Sequence, residues 1–352
     1  MKILITGICG FVGSNLAKSL LNNLENTEIF GIDNLFRKGS ELNFQKLAKL
    51  KIHIVRGDIR NSSDLSALPR VDWVIDCAAN PSVLAGTNSQ VSSLQLLENN
   101  VFGTINLLEY CKYHKSGFIL ISTSRVYSAK DLAELPVQTK DDSFLISKCD
   151  LIGISDKGLS ESFPTTSPIS LYGASKLASE TLLLEYGHAF DFPVWINRCG
   201  VLAGSGQFGK IDQGIFSYWI HSYLEKNPLK YVGFNGSGHQ VRDALHPRDL
   251  TPLLVRQMKE PSSDSPNILN IGGGIGNSMS LKQLSNWCEN RFGKNTVHSS
   301  LENRPLDAPW IVMDSTLAYQ SWEWEPRTSL VHILDEIADH AEKNPHWLSQ
   351  TN

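Results

Sequence analysis

Short apolar runs alternate with stretches of helical periodicity through the first half of the chain. Residues 3–6, 28–32, 51–56, 73–76, 118–122 and 193–197 are brief, mainly apolar runs of strand length. Between them, 15–23, 40–50, 62–67, 94–113 and 174–189 carry apolar residues three and four apart, as with Leu16, Leu20 and Leu21. Runs that are continuously apolar, not alternating, mark strands covered on both faces. The pattern therefore predicts an α/β protein with a parallel, doubly wound sheet and right-handed crossovers. In such a sheet the ligand lies across the carboxyl ends of the strands.

The rest of the chain is less regular. Residues 129–168 lack periodicity and are rich in Asp, Lys and Ser. The stretch is too long for an ordinary connection, which leaves a lid over the site or a partly mobile segment. From Cys199 onward glycines and aromatics cluster, as in GVLAGSGQFGKIDQGIFSYWI. This divides the chain into a sheet domain, 1–198, and a smaller C-terminal substrate-binding lobe, 199–352, with segments near 240–250 returning to the first. No internal repeat or low-complexity tract is visible. The last helix, expected at 330–342, sets Leu330, Ile333, Leu334 and Ile337 on one packing face.

Composition narrows the class. The 352 residues suffice for about two domains. Lys and Arg number 32 against 36 acidic residues, a net charge of −4, so no nucleic-acid partner is expected. No apolar run reaches the ~18 residues of a membrane span, and Met1 leads straight into a strand, so a cytoplasmic location without membrane or signal peptide is expected. Six cysteines (Cys9, Cys77, Cys111, Cys149, Cys199, Cys288) are scattered with no metal-ligand spacing. They read as reduced, mostly buried thiols, and no metal is expected.

Chemistry enters at the first strand–helix junction, where Gly7, Gly10 and Gly13 fall between the two elements. A turn there needs positive φ and a backbone bare enough for a pyrophosphate to approach. The helix start adds unpaired N–H groups and the positive end of its dipole. The spacing G-x-x-G-x-x-G is weak by itself, since a tight turn with no ligand uses glycine too. Asp33 strengthens it, ending the second run about twenty positions on. Its carboxylate can accept both ribose hydroxyls of NAD and would repel the extra phosphate of NADP. Arg37 and Lys38 pull the other way, and NAD is favoured on balance. Asp58, after the third strand in RGDIRN, can accept from the adenine amino group with Ile59 against the ring, or can simply cap a turn. Ala78 and Ala79 are small enough for a cofactor to lie on their backbone, and Asn80–Pro81 turns the chain away. Asn100 can reach the nicotinamide side of the cleft, or serve as a buried residue bonding backbone.

Tyr172 and Lys176, in YGASK, are four apart and share one helix face. A phenol of pKa ~10 is a poor base until a nearby cation stabilises its phenolate. Chance pairs of this kind are common on helix surfaces. The pair gains weight from Ser122-Thr123-Ser124 at the end of the fifth strand, where a hydroxyl can bond the substrate oxygen.

Together these elements resemble the extended short-chain dehydrogenase/reductase family, the NAD-dependent epimerases and dehydratases. The resemblance spans nearly the whole chain: GICGFVG, Asp33, GDI at 57–59, CAA at 77–79, NNVFGTINLLE, STSRVY and YGASK. It implies a Rossmann-type sheet, a small sugar-nucleotide lobe and bound NAD. It also implies Tyr172 as base, Thr123 (three before Val126–Tyr127) as the hydroxyl positioning the substrate oxygen, and Lys176 as the residue tuning Tyr172 and holding the cofactor. Cys9, Phe11, Val12, Asn34, Ser122 and Cys199 join the glycines as cofactor-binding positions.

Sugar-nucleotide 4,6-dehydratases of this family carry Asp-Glu after the catalytic threonine. Ser124 and Arg125 stand there instead, which disfavours dehydration. GSGQFGKIDQG (204–214), GSGHQVRDALHPRDL (236–250), DNLFRKG and HIVRGDIRN resemble the CDP-paratose 2-epimerase (CDP-tyvelose epimerase) subgroup. The resemblance implies oxidation to a keto-sugar and hydride return to the opposite face. It assigns Arg242 and Arg304 to a nucleotide diphosphate, which guanidinium groups hold bidentately. Asn80, Ser124, Arg125 and, more weakly, Gln207, Asp212 and Gln213 fall to the substrate, a CDP-sugar being favoured. Departures are Ser128 for glycine, Cys199-Gly200 where the subgroup has histidine and serine, and a longer Pro168-Ile-Ser-Leu before Tyr172. Cys199, His239 and His246 read as structural. Rival readings are another nucleotide-sugar 4-epimerase, a reductase, or a non-catalytic dinucleotide sensor, and a homodimer or homotetramer is expected through 94–113 and 174–189.

Overall fold

The computed structural model describes residues 1–85, 92–211, 213–261 and 265–351. Seven parallel strands make the central sheet: β1 (Lys2–Thr6), β2 (Glu28–Asp33), β3 (His53–Arg56), β4 (Trp73–Asp76), β5 (Gly117–Thr123), β6 (Val194–Cys199) and β7 (Ile268–Ile271). Their order is β7-β6-β5-β4-β1-β2-β3, so the winding reverses between β1 and β4 and opens a crevice there.

Alternate residues of each central strand enter opposite cores. Ile3, Ile5, Ile75, Ile119 and Trp195 join one cluster, while Leu4, Val74, Leu120 and Ile196 join the other. Full burial of such a side chain contributes about 1.5–3 kcal/mol, which is why these runs read as continuously apolar. Helices α1 (Phe11–Asn23) and α4 (Leu250–Lys259) cover the first face; α2 (Gly103–His114) and α3 (Leu171–Phe190) cover the second. Ahead of α2 run a short helix, Ser93–Leu97, and a π-wound turn, Glu98–Phe102.

β7 was not anticipated. The chain, expected to return to the first domain near 240–250, packs Leu245 and Leu250 into the core of the central sheet and continues there through α4 and β7. Trp195 donates to the Gln257 carbonyl at 3.1 Å, and the Asn197 and Gln257 amides pair reciprocally at 3.1 Å. Strand Val241–Leu245 instead centres a smaller mixed sheet, parallel to Val201–Leu202 and Trp310–Ile311 and antiparallel to Ser278–Ser280. Helices Ile215–Leu224, Leu281–Phe292 and Leu330–Lys343 pack on it through Phe216, Trp219, Leu284, Ile333, Leu334 and Ile337.

Residues 129–168 are a strap. A helix, Ala129–Ala133, leads into two hairpins, Val137–Lys140 with Ser143–Ile146 and Ile154–Ser155 with Gly158–Leu159. Phe144 N–H donates to His239 O and Leu159 N–H to Val312 O, and the Ser280 hydroxyl bonds Asp142 O at 2.6 Å. Backbone bonds hold the strap to the smaller sheet, and these leave no hydrophobic period in the sequence.

Candidate active site

The first junction is built as an anion seat. Gly7 sits at φ 58°, where a Cβ would come 2.9 Å from Ala78 Cα, and a Cβ on Gly13 would meet Gly7 O at 2.5 Å. Gly10 precedes α1 with no side-chain cap and no acid in the first turn, so its leading N–H groups face the crevice uncompensated. Asp33 accepts from Cys9 N–H at 2.9 Å and Leu35 N–H at 2.8 Å. Burial raises its pKa and these two bonds draw it back. A dinucleotide's pyrophosphate fits the glycine cradle, where any side chain would intrude, and its ribose fits Asp33. Phe11 and Val12 form the first helical turn beside it.

Neighbouring candidates are more committed to protein partners. Asp58 is gripped by Arg60 at 2.7 and 3.0 Å and by Asn34 Nδ2 at 3.0 Å, and chiefly through Arg60 its carboxyl is held down at about 2. Ile59 is buried against Gly103 at the start of α2. Arg37 donates to Phe208 O at 3.0 Å and Lys38 to Ser349 O at 2.9 Å, which ties both cations to the C-terminal part of the chain. Asn100 is buried and accepts from Asn80 N–H at 2.8 Å while donating to Asn80 O and Ser175 Oγ. It buckles the 78–80 loop to α3, the role of a buried residue bonding backbone. Thr6 Oγ1 accepts the N–H groups of Cys77 and Ala78 at 3.1 Å and so fixes the start of the same loop that carries Ala79.

Thr123 ends β5 and caps a single tight turn, Ser124–Val126, its hydroxyl accepting from Arg125 N–H at 3.2 Å. Tyr172 stands in the first turn of α3, which Ser170 caps through Gly173 N–H at 2.9 Å. The tyrosine is buried and hydrogen-bonded to Thr123. Burial pushes the phenol up to about 12; the Thr123 bond and the Arg125 charge pull downward, and Cys199 pushes upward. Lys176, one turn along, is 2% exposed, and its charge falls on Cys77 and Cys199 at the ends of β4 and β6. Burial pushes the Cys199 thiol up to about 12 and raises Cys77 further, so neither is a nucleophile. The phenol and the threonine hydroxyl thus meet at the carboxyl end of β5, and the ammonium lies toward Cys77 and Cys199 at the ends of β4 and β6.

Behind them lies a network the sequence did not announce. Glu180 on α3 receives Arg198 of β6 in a forked pair, and Ser122 donates to the same carboxylate at 2.5 Å. Arg198 also reaches Tyr127, whose hydroxyl bonds Asn270 of β7 at 2.6 Å. The signal was a glutamate on the apolar face of a helix, but only its partner, 18 positions away, gives it meaning.

Across the crevice a cavity of about 140 Å³ is lined by Arg125, Arg242, Arg304, Asp307, Gln213 and Leu284, among others. Arg242 pairs with Asp307 at 2.8 Å. Gln240, also in its wall, is buried with its Oε1 lacking a partner among the described residues. Gln207 lies outside this lining and donates to Leu202 O at 2.7 Å. Ser124 is buried and its carbonyl accepts from Tyr127 N–H. Asp212 lies outside the described residues. Asp307 was missed, although a lone acid among apolar residues 306–313 was there to be seen.

The model of the NAD dependent epimerase/dehydratase family matches residues 3–272. A CDP-paratose 2-epimerase of Salmonella typhi is 32% identical over 344 residues, 96% of this chain and 98% of that protein. A UDP-glucuronate 4-epimerase of Thermodesulfobacterium geofontis is 26% identical over 97% of this chain and 96% of its own. The crystal structure of UDP-glucuronic acid 4-epimerase from Bacillus cereus, in complex with UDP-glucuronic acid and NAD, matches with a TM-score of 0.78 at 28% identity, covering 97% of this chain and 99% of that one. With the glycine cradle, Asp33 and the tyrosine–lysine–threonine group already in hand, the chain belongs to the NAD-dependent epimerase/dehydratase family of enzymes, the extended short-chain dehydrogenase/reductases.

Proposed function

We propose that the protein is a nucleotide-sugar epimerase of the CDP-paratose 2-epimerase kind, acting on a CDP-sugar. One observation carries the choice within the family: Ser124 and Arg125 follow Thr123 where elimination of water needs a carboxylate pair. Arg125 faces the substrate cavity beside Arg242 and Arg304, and the acid in that lining, Asp307, is bound to Arg242. Such a site can move a hydroxyl proton but, among the described residues, has no free carboxylic acid to expel a leaving hydroxide.

NAD, when bound over the glycine cradle, supplies the acceptor and later the donor for the hydrogen on a sugar carbon. Thr123 holds the substrate oxygen against Tyr172, which takes the hydroxyl proton and returns it after the keto-sugar has presented its other face. Lys176 holds the cofactor ribose and shares in tuning the phenol. Arg242 and Arg304 hold the diphosphate, and Gln213 and Gln240 line the way to the base. Residues 199–352, apart from α4 and β7, serve as the nucleotide-sugar lobe. The enzyme works in the cytoplasm as a homodimer through α2 and α3, the turns ahead of α2 exposing Leu94 and Phe102.

Incubating the NAD-loaded protein with CDP-, UDP- and GDP-sugars tests this. Epimerisation of a CDP-sugar, with no net cofactor reduction and no solvent deuterium in the product, is the expected result. Stoichiometric cofactor reduction, or loss of water from the sugar, would overturn it.

A further inference from the structure

Among the described residues of the substrate cavity, three guanidinium groups, Arg125, Arg242 and Arg304, face one carboxylate, Asp307. Their excess is two positive charges, the charge that a nucleoside diphosphate ester brings with the opposite sign. Asp307 is committed to Arg242 at 2.8 Å. Among the described residues, the Arg125 guanidinium makes no hydrogen bond or ion pair, although its backbone N–H is fixed on Thr123 Oγ1 at 3.2 Å. An unpaired guanidinium kept at an enclosed site costs free energy unless a ligand anion completes it.

Arg125 also differs from the other two in what else it faces. It lines a second, narrow cleft with Tyr127, Ser170 and Leu306, on the side of α3 where Tyr172 begins its turn. The Gly173 backbone packs on the Arg125 carbonyl so closely that no side chain fits between them. Arg125 and Tyr172 act on each other electrostatically, as do Arg125 and the pair Arg242 and Arg304. It therefore bridges the anion cavity and the catalytic phenol. The sugar ring must meet Tyr172, so an arginine on the phenol's side of the cavity meets the phosphate next to the sugar.

We propose that Arg125 is a substrate-binding and specificity-determining residue that grips the sugar-proximal phosphate of a nucleoside diphospho-sugar and thereby aligns the sugar with Tyr172. The inference rests on the nucleotide-sugar reading, but goes beyond it by dividing the two phosphates: Arg242 and Arg304 serve both, and Arg125 serves the second alone. A charge-assisted contact of this type is lost as a unit when the guanidinium is removed.

The test is calorimetric binding of CDP and CMP, probes that differ by the second phosphate, to NAD-loaded wild-type, Arg125→Ala and Arg125→Lys proteins. Arg125→Ala should weaken CDP about ten- to a hundredfold and leave CMP within about twofold, with Arg125→Lys recovering part of the loss. Because the guanidinium has no protein partner, Arg125→Ala should melt at the wild-type temperature or above it. Equal CDP affinity in wild type and Arg125→Ala, or equal losses for CDP and CMP, would overturn the inference while sparing the proposed function. Failure of wild type to bind CDP at all would instead overturn the CDP-sugar reading beneath it.

Discussion

Arg198 and Glu180 form a forked ion pair sealed from solvent, with Nη2 2.7 Å and Nε 3.1 Å from Oε2 and side chains 6% and 2% exposed. The pair ties β6 to α3 directly behind Thr123 and Tyr172, and Ser122 takes up Glu180 Oε1. Truncating Glu180 to alanine strands a guanidinium that the interior cannot solvate. Glu180→Ala should therefore lose about 3–5 kcal/mol of unfolding free energy in denaturant titration. The double variant Glu180→Leu with Arg198→Met removes both charges and should lose less than the single one. A double variant as unstable as the sum of its singles would mean the pair is not coupled.

Tyr172→Phe should keep the fold and the cofactor while turnover falls about 10²–10⁴-fold. The fold is expected to survive because Thr123, deprived of the phenol, still accepts from Arg125 N–H. Cofactor content by absorbance and turnover with the nucleotide-sugar identified in the screen are the measurements. Turnover within tenfold of wild type would show that Tyr172 is not the base.

These two sites also mark how far the sequence could be followed. β1, β4, β5 and β6 were legible because both their faces are buried, so Ile3, Leu4 and Ile5 are all apolar although they enter different cores. β7 was not, because Asn270 sits in its centre with its side chain spent on Tyr127 and Leu159 O, and four residues give no period. Tyr172, Lys176 and Thr123 could be found by spacing within one helix and one strand end. Arg125, Arg242, Arg304 and Asp307 come from separated segments, so their charge excess exists only after folding. Glu180 acquires its role only where folding brings Arg198 of β6 against it.

Gly7→Ala and Gly13→Ala should both abolish tight NAD binding, for different reasons. At Gly7 the backbone is left-handed, φ 58°, and a Cβ would press on Ala78 Cα at 2.9 Å. A side chain there costs about 1–2 kcal/mol from conformation alone. At Gly13 the obstacle is Gly7 O, backbone that cannot swing aside. Gly10→Ala, with its nearest atom at 3.1 Å, should be milder, and Gly276→Ala, with nothing within 4 Å, should bind NAD as wild type does. Calorimetric titration with NAD ranks the four variants. A Gly13→Ala protein binding NAD as tightly as Gly276→Ala would remove the cradle from its assigned place.

Acid stability should be set in part by two buried histidines, His221 and His246, and the half-buried His340. Burial lowers His221 and His246 to about 3 and His340 to about 4. Neither ring nitrogen of His221 has a partner among the described residues. Unfolding frees these rings to take protons near pH 6.5, so below that value the unfolded chain binds more protons than the native one. Each histidine then withdraws roughly 1.4 kcal/mol of stability per unit of falling pH, down to its folded pKa. Asp243 works in the opposite sense, because burial lifts its carboxyl to about 6 and the native state takes the proton first. Asp33 and Glu161, also raised by burial, lean the same way as Asp243. The histidines outweigh them between about pH 6 and 4, where a net loss of about 1–3 kcal/mol per pH unit is expected. Denaturant midpoints measured across that range check it, and His221→Leu should flatten the slope by one proton's worth. Midpoints that stay level from pH 6.5 to 4.5 would mean that these rings are already protonated in the folded protein.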